Sequence, residues 1–546
     1  MKGVEAGFVG GNFILRRRQL RAAATAAEKG KGGKGGKSGK GDKQHAPPGV
    51  RQKKSSTSEG YLRALEKYEP VIGIEVHVQL NTNTKAFCSC STRESRVPNT
   101  NVCPVCMGHP GTLPVLNRSV VELAAKAGMA LRCNVAEVSK FDRKNYFYPD
   151  TPKNYQISQY DVPLAEHGSL DLPLSKTRVG VTRLHIEEDA GKLTHMGSGT
   201  GRIADSTHSL VDYNRAGTPL VEIVSEPDIR SSTQAAEYGQ ELQKVLRYVG
   251  ASNCNMQDGS LRLDVNVSIR EKGAAEFGTK IELKNLNSFG SVQRAIEYEI
   301  ERQAAALDAG EQLHMETRFW DEKGLKTLLM RVKEGAADYR YFPEPDIPPL
   351  VLQKSILGRW IDELPELPTA RRRKYAEEYG LSDYDAAQMT DSRETSDFFQ
   401  LTVDLGGSPK STANLLMGEI TKALKDAGST ITTCKLEPPS LASLVKMQDA
   451  GVISTRAVKE LLPELVRDGG DPEEIVEQRG LKMITDPAEV DKLVELVLEA
   501  EKDMVEQYKA GKTKLLGALR GKLIKRSEGK MDPQTLGERL MEKLGS

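Results

Sequence analysis

The chain has 546 residues, 38% of them hydrophobic and 28% charged, with a formal net charge of +1. That length excludes a single core and that balance excludes a disordered chain, so two to four globular domains are expected. No stretch approaches 18 uninterrupted apolar residues, so no membrane span is expected.

The small net charge conceals an asymmetry. Residues 1–60 hold 14 Lys and Arg against 4 Asp and Glu, which leaves the remainder at −9. "NFILRRRQLRAAATAA" is basic, Ala-rich and free of acids, as organellar transit peptides are. "KGKGGKGGKSGKGDK" follows as a flexible polar tract. Its Gly36-Lys37-Ser38 imitates the end of a phosphate-binding loop, but Lys31 stands where the first glycine belongs and no strand precedes it. Residues 1–60 therefore read as a leader plus linker, with a mitochondrion, a chloroplast or both as destination. Seven cysteines, an odd and low number for this length, point to a reducing compartment.

Folded sequence is expected from Tyr61. In "VIGIEVHVQL", Ile72, Ile74, Val76, Val78 and Leu80 alternate with Gly73, Glu75, His77 and Gln79. Period-two alternation sends the two sets to opposite faces of a strand. Next comes "FCSCSTRESRVPNTNVCPVCMGHPG", in which Cys88 and Cys90 form one close pair and Cys103 and Cys106 another. Two such pairs across a short loop can wrap one tetrahedral zinc ion, with Pro104 and Gly108 supplying tight turns. Disulfides disagree with a reducing compartment, a redox role for Cys103 and Cys106 leaves the first pair idle, and simple buried thiols remain the other alternative to zinc. A site using all four sulfurs has no open position, so its role is structural.

The polar-face pattern recurs. "LRLDVNVSIR" presents Arg262, Asp264, Asn266, Ser268 and Arg270 opposite aliphatic residues, and "TKIELK" offers Lys280, Glu282 and Lys284. "RLHIEEDAGK" brings Glu187, Glu188 and Asp189 beside Lys192, and "PLVEIVSEPD" places Glu222 among apolar neighbours. A carboxylate in such a strand must be paired, protonated or metal-bound, because burying it bare is prohibitively costly. Carboxylates with one imidazole suit Mg²⁺ carrying substrate phosphates better than they suit zinc. Beyond "PEPDIPPL" at 343–350, helical periodicity runs almost unbroken to the end.

Six segments, "IGIEVHVQL", "KFDRKNYFYPDTPKNYQISQYD", "RLHIEEDAGK", "DYNRAGTPLVEIVSEPD", "ELKNLNSF" and "DYRYFPEPD", together resemble the B-subunit family of the aspartyl/glutamyl-tRNA amidotransferases. The resemblance implies an α+β catalytic cradle of the glutamine synthetase/guanido kinase type, built on an antiparallel sheet and carrying a zinc knuckle. It implies the cradle over residues 61–350, a helical linker over 351–395 and a YqeY-like helical tail over 396–546. It implies ATP-dependent phosphorylation of the side-chain carboxylate of a misacylated tRNA, with Glu-tRNA(Gln) favoured by an organellar address. Ammonia would come from the amidase, the A-type partner, and a small C-type partner would complete a heterotrimer. A carboxylate is a poor electrophile, so amide formation needs this activation, and phosphoryl transfer depends mainly on positioning and charge neutralisation. No glutaminase nucleophile motif is recognisable here.

Carried over by motif, the family's catalytic groups fall on Glu75, His77, Glu187, Glu188 and Glu222, with Glu75, His77, Glu188 and Glu222 as the expected magnesium set. Arg143, Lys144, Lys153, Lys192 and Arg215 are expected to face phosphates or the aminoacyl group. Zinc is expected on Cys88, Cys90, Cys103 and Cys106. "KAGKTKLLGALRGKLIKRSEGK", residues 509–530, holds eight Lys and Arg against one acid. Leu515, Leu516, Leu519, Leu523 and Ile524 recur there at helical spacing. The family's use of this tail to hold tRNA marks Lys512, Lys514, Arg520, Lys522, Lys525 and Arg526. One departure is Leu415, where the tail motif usually has tryptophan; a change in packing alone is expected. The alternatives are a non-enzymatic zinc-knuckle RNA-binding adaptor, which leaves the acidic strand face without purpose, and a self-sufficient amide ligase. The paralogous archaeal-type form is disfavoured, because "RYFPEPDIPPL" runs into the helical connector without an inserted domain.

Overall fold

The computed structural model describes residues 58–197, 206–332, 339–484, 486–527 and 529–545. All but the last three residues of the expected leader lie outside the described residues. The first described element opens on an N-cap: the Ser58 hydroxyl accepts from the Tyr61 amide at the head of the helix Glu59–Lys67.

That helix runs directly into β1 (Tyr68–Gln79), the centre of a nine-stranded sheet. The other strands are β2 (Asn134–Val135), β3 (Ala165–Leu172), β4 (Thr177–Glu188), β5 (Pro219–Ser225), β6 (Leu261–Glu271), β7 (Ile281–Leu286), β8 (Glu316–Asp321) and β9 (Lys326–Val332). Their spatial order is β9-β8-β7-β6-β1-β5-β4-β3-β2. One antiparallel meander, β2 to β5, thus flanks β1 on one side, and the later strands β6 to β9 lie on the other. The expectation of an antiparallel sheet needs one correction: β7 and β8 pair in parallel, so the sheet is mixed. A parallel pair requires a long crossover, and the helix Phe289–Asp308 supplies it.

Three helices, Arg118–Ala130, Ser232–Tyr248 and Phe289–Asp308, cover the apolar side of the sheet. Each begins on a side-chain cap, from Asn117, Ser231 and Ser288 respectively. Ile72, Ile74, Val76 and Val78 of β1 are buried against them with Val221, Ile223, Leu263, Val265 and Val267. The opposite face is left for the polar residues. A small three-stranded sheet of Phe342–Pro343, Asp142–Asn145 and Tyr155–Ser158 lies over part of that face.

Apolar burial gathers the remaining chain into two further cores. The helix Lys354–Asp362 delivers Trp360 to the first core, while helices from Pro368 onward join a second core that extends to Val476. Leu415 is buried in that second core, in the packing position expected for it. A third core lies within Pro487–Ala500, Leu515–Arg526 and Pro533–Gly545, around Val494, Leu519, Leu523, Leu536 and Leu540. Tyr248 and Arg393 join the regions of the first two cores: the Tyr248 hydroxyl donates to the Thr390 carbonyl at 3.0 Å, and the Tyr248 carbonyl accepts from Arg393 at 2.8 Å. No described helix is long and apolar enough to cross a membrane.

Candidate active site and metal centre

Register places the site. His77 of β1 lies opposite Glu222 of β5 on one side and Arg262 of β6 on the other. Glu222 in turn lies opposite His185 of β4. His185, Glu222, His77 and Arg262 therefore form one row across four neighbouring strands. Glu187, two residues beyond His185, shares its face by strand alternation. Donor atoms of His77, Glu187 and Glu222 lie within 4.8 Å of one another. His185 Nε2 sits 3.2 Å from Glu187 and 3.5 Å from Glu222, and its Nδ1 is a buried atom without a partner.

Two carboxylates this deeply buried need compensation worth several kcal/mol each. Lys144 provides part of it, with Nζ 3.4 Å from Glu187 and 5.2 Å from the centre of the Tyr339 ring. Ser158 donates to Glu187 at 2.8 Å and Gln156 at 3.2 Å. Burial alone would raise the Glu187 carboxyl, but Lys144 and His185 overcome it and hold the group well below its ordinary range. Burial likewise opposes ionisation of Glu222, yet its hydrogen bond with His77 brings it down to about 2. The same burial opposes the charged His77 ring, and Glu222 more than offsets it, raising the imidazole. Lys144 is kept charged against burial chiefly by Glu187. Paired oxygen donors with an imidazole fit a divalent cation that carries phosphates.

Glu75 and Glu188, both expected as magnesium ligands, lie outside this cluster. Glu188 shares a face with Ile186 rather than with Glu187, and its carboxylate pairs with Lys153 and accepts from the Ile157 amide at 3.0 Å. Glu75 is one strand repeat from His77 and accepts from Asn266 at 2.9 Å. Sequence reasoning overlooked His185, Ser158 and Gln156. His185 carried a signal, its two-residue spacing from Glu187; Ser158 and Gln156 arrive from a separate small sheet and carried none.

The expected phosphate-facing bases scatter. Arg143 forks onto Glu344 at 2.7 and 3.0 Å, reaches Asp346 at 3.0 Å and stacks on Tyr155, so it clamps two segments together. Arg215 donates to the carbonyls of Ala190 and Gly191 at 3.0 and 2.8 Å. Asp189, 3.6 Å from Arg215, accepts from Arg262 at 2.7 Å and from Gln79 at 2.8 Å. Lys192 is exposed at the start of the strand Lys192–Met196. Of the five, Lys144 alone contacts the cluster.

All four cysteines of the knuckle are free thiols, and their sulfur atoms lie within 4.8 Å of one another. Four convergent sulfurs fit a closed tetrahedral zinc site. The Cys106 thiol is drawn down to about 4, first by its hydrogen bond with Cys88, against the effect of burial. The knuckle is tied down: the Thr100 and Asn101 amides donate to Asn214 Oδ1 at 2.8 and 2.7 Å.

In the tail, Lys512, Lys514, Arg520, Lys522, Lys525 and Arg526 are all exposed, while Leu519 and Leu523 are buried. Lys522 reaches Glu501 at 2.5 Å and Arg520 donates to the Pro533 carbonyl at 3.1 Å. Ile524, expected on the packed face, is 37% exposed because the core lies under the Leu519–Leu523 line.

Residues 70–358 match the model of the GatB/GatE catalytic domain, and residues 397–544 match that of the GatB domain. The chain is 52% identical over 486 residues to the aspartyl/glutamyl-tRNA(Asn/Gln) amidotransferase B subunit of Crocosphaera subtropica, covering 88% of this chain and 98% of the relative. It is 54% identical to the protein of that name from Thermosynechococcus vestitus, covering 87% and 96%. Against the Synechococcus elongatus protein it is 53% identical, covering 88% and 98%. With a matching catalytic-domain model over half its length and relatives aligned almost end to end, the chain belongs to the B-subunit family of the aspartyl/glutamyl-tRNA amidotransferases.

Proposed function

We propose that this chain is the tRNA-binding kinase component of a glutamyl-tRNA(Gln) amidotransferase serving organellar translation. ATP phosphorylates the glutamyl side-chain carboxylate of the misacylated tRNA, and ammonia from a partner amidase displaces the phosphate to give the amide. The observation that carries this reading is the cluster of half-buried His77 with the buried carboxylates of Glu187 and Glu222, and a charged Lys144 beside it.

His77, Glu187 and Glu222 are the residues that would hold magnesium, which when bound supplies charge neutralisation for the phosphates of ATP. His185 fixes the two carboxylates from behind through its Nε2 contacts. Lys144, its charge secured by Glu187, offers a cation for the transferred group. Arg262, anchored by Asp189, extends the same row onto β6. Cys88, Cys90, Cys103 and Cys106 would hold zinc as a structural site. The exposed basic face of Leu515–Arg526 would contact tRNA phosphates, which positions a ligand without reading its sequence.

The cyanobacterial relatives and the basic leader together support the chloroplast as destination. The test is reconstitution with the amidase and the small bridging partner, followed by assay on Glu-tRNA(Gln) with glutamine. Conversion to Gln-tRNA(Gln) should require ATP and vanish in Glu222→Gln. Equal conversion without ATP would remove the kinase reading. A fusion of residues 1–60 to a fluorescent reporter should enter chloroplasts, and cytosolic fluorescence would defeat that assignment.

A further inference from the structure

Lys85 has no exposed surface. Lysines are almost never buried to that degree unless an anion faces them. Among the described residues no carboxylate lies within ion-pair distance of Lys85. Its ammonium donates to the Asn101 carbonyl at 2.7 Å, to the Tyr213 carbonyl at 3.4 Å and to the Cys106 sulfur at 3.7 Å. Three acceptors satisfy three donors, but two of them are neutral. The anion is the thiolate cluster. Four thiolates around one zinc ion leave a net double negative charge on the site, and Cys106, the ligand that Lys85 touches, is the buried one of the four.

We propose that Lys85 is the built-in counter-charge of the four-cysteine zinc site and joins that site mechanically to the segment Tyr213–Gly217. The inference rests on the zinc reading of the cysteines. Geometry supports the joining role from both sides. The Lys85 amide donates to the Cys90 carbonyl and the Ala86 amide to the Gly217 carbonyl, each at 2.9 Å. The short stretch Lys85–Ala86 is thus bonded to the knuckle at one residue and to the loop at the next. Gly217 makes the close approach possible: its φ is +83°, and a Cβ there would stand 3.5 Å from both Cys106 and Lys85. The loop carries Arg215, which holds the Ala190 and Gly191 carbonyls, and it leads directly into β5 with Glu222. Lys85 is a positioning residue, acting on the metal site and, through the loop, on the strand that bears a carboxylate of the cluster.

The experiment measures zinc affinity of the full chain by competition with a chromophoric chelator, comparing wild type with Lys85→Met, which keeps the apolar stem. Affinity should fall at least tenfold in the variant. Hydrogen exchange of the wild type, before and after chelation, supplies a second measurement that needs no variant. Loss of zinc should raise exchange at Tyr213–Gly217 relative to β3. Wild type that takes up no zinc overturns the metal reading and this inference with it. Wild type that binds zinc while Lys85→Met binds it equally well overturns the counter-charge alone. If Lys85→Met does not fold, unchanged protection of Tyr213–Gly217 after chelation overturns the inference, and raised exchange there supports it.

Discussion

The two candidate metal centres are built in opposite ways. The knuckle gathers four sulfurs from residues 88–106, within a single loop, and needs no sheet to bring them together. The oxygen-rich cluster draws His77, Glu187 and Glu222 from three strands, and a register slip in any one of them would send its ligand to the helical side. One centre is a local knot of chain; the other exists only when the sheet is complete. The knuckle should therefore tolerate damage elsewhere, and the cluster should not.

Glu187→Gln should give the largest effect. It removes the charge that faces Lys144 and His185, and breaking a buried pair in this way costs about 3–5 kcal/mol. ATP-dependent amidation should fall by about two orders of magnitude or more, and chemical denaturation should show the reduced stability. Glu75→Gln is the matched comparison, because Glu75 bonds Asn266 outside the cluster. Its activity should stay within about tenfold of wild type. Equal losses in the two variants would erase the boundary between Glu75 and the cluster.

Cys103→Ser with Cys106→Ser comes next. Zinc content should drop from one per chain to none, and thermal stability should fall, while ATP-dependent activity declines less than in Glu187→Gln. Complete loss of activity with intact folding would show that the knuckle contributes more than support.

A smaller effect is expected in the tail. Leu519, Leu523, Leu536 and Leu540 form its core, so truncation would unfold what it is meant to probe. Lys525→Gln with Arg526→Gln leaves that core intact and should weaken aminoacyl-tRNA binding. Each phosphate interaction removed should flatten the log–log salt dependence by roughly 0.7–0.9. An unchanged slope would remove this face from the tRNA site.

The smallest effect sets the floor for an exposed pair. Arg132 and then Arg178 hold the Asp171 carboxyl down to about 2. Its folded value lies below the unfolded value of about 3.9, so its stabilisation is present above that pH and is lost as pH falls toward 2. Asp171→Asn should cost less than about 1 kcal/mol at neutral pH, and the difference from wild type should close on acidification.

Legibility in the sequence followed the same division. The cysteine spacing and the alternation of β1 and β6 are local, and the structure carries them as expected. The pairing of His77 with Glu222 rather than with another acid is a property of register over some 145 residues, and no local pattern states it. Glu188 shows where alternation should have overruled motif, since adjacent strand residues cannot share a face. The parallel pairing of β7 with β8 was hidden for the same reason as the second and third cores: chain direction and helix grouping are decided by what packs at a distance.

The central position of β1 sets an order of events in synthesis. Glu75 pairs with Val224 on one side and Asp264 on the other. This strand therefore cannot complete its pairing on its second side until the chain has grown past Glu271. Until then one edge stays open to foreign strands, and the helix Phe289–Asp308 has yet to close over the apolar side. Such long-range pairing closes slowly. The strand that carries His77 is made early and completed late, and chaperone binding during synthesis is expected to concentrate on Val71–Leu80.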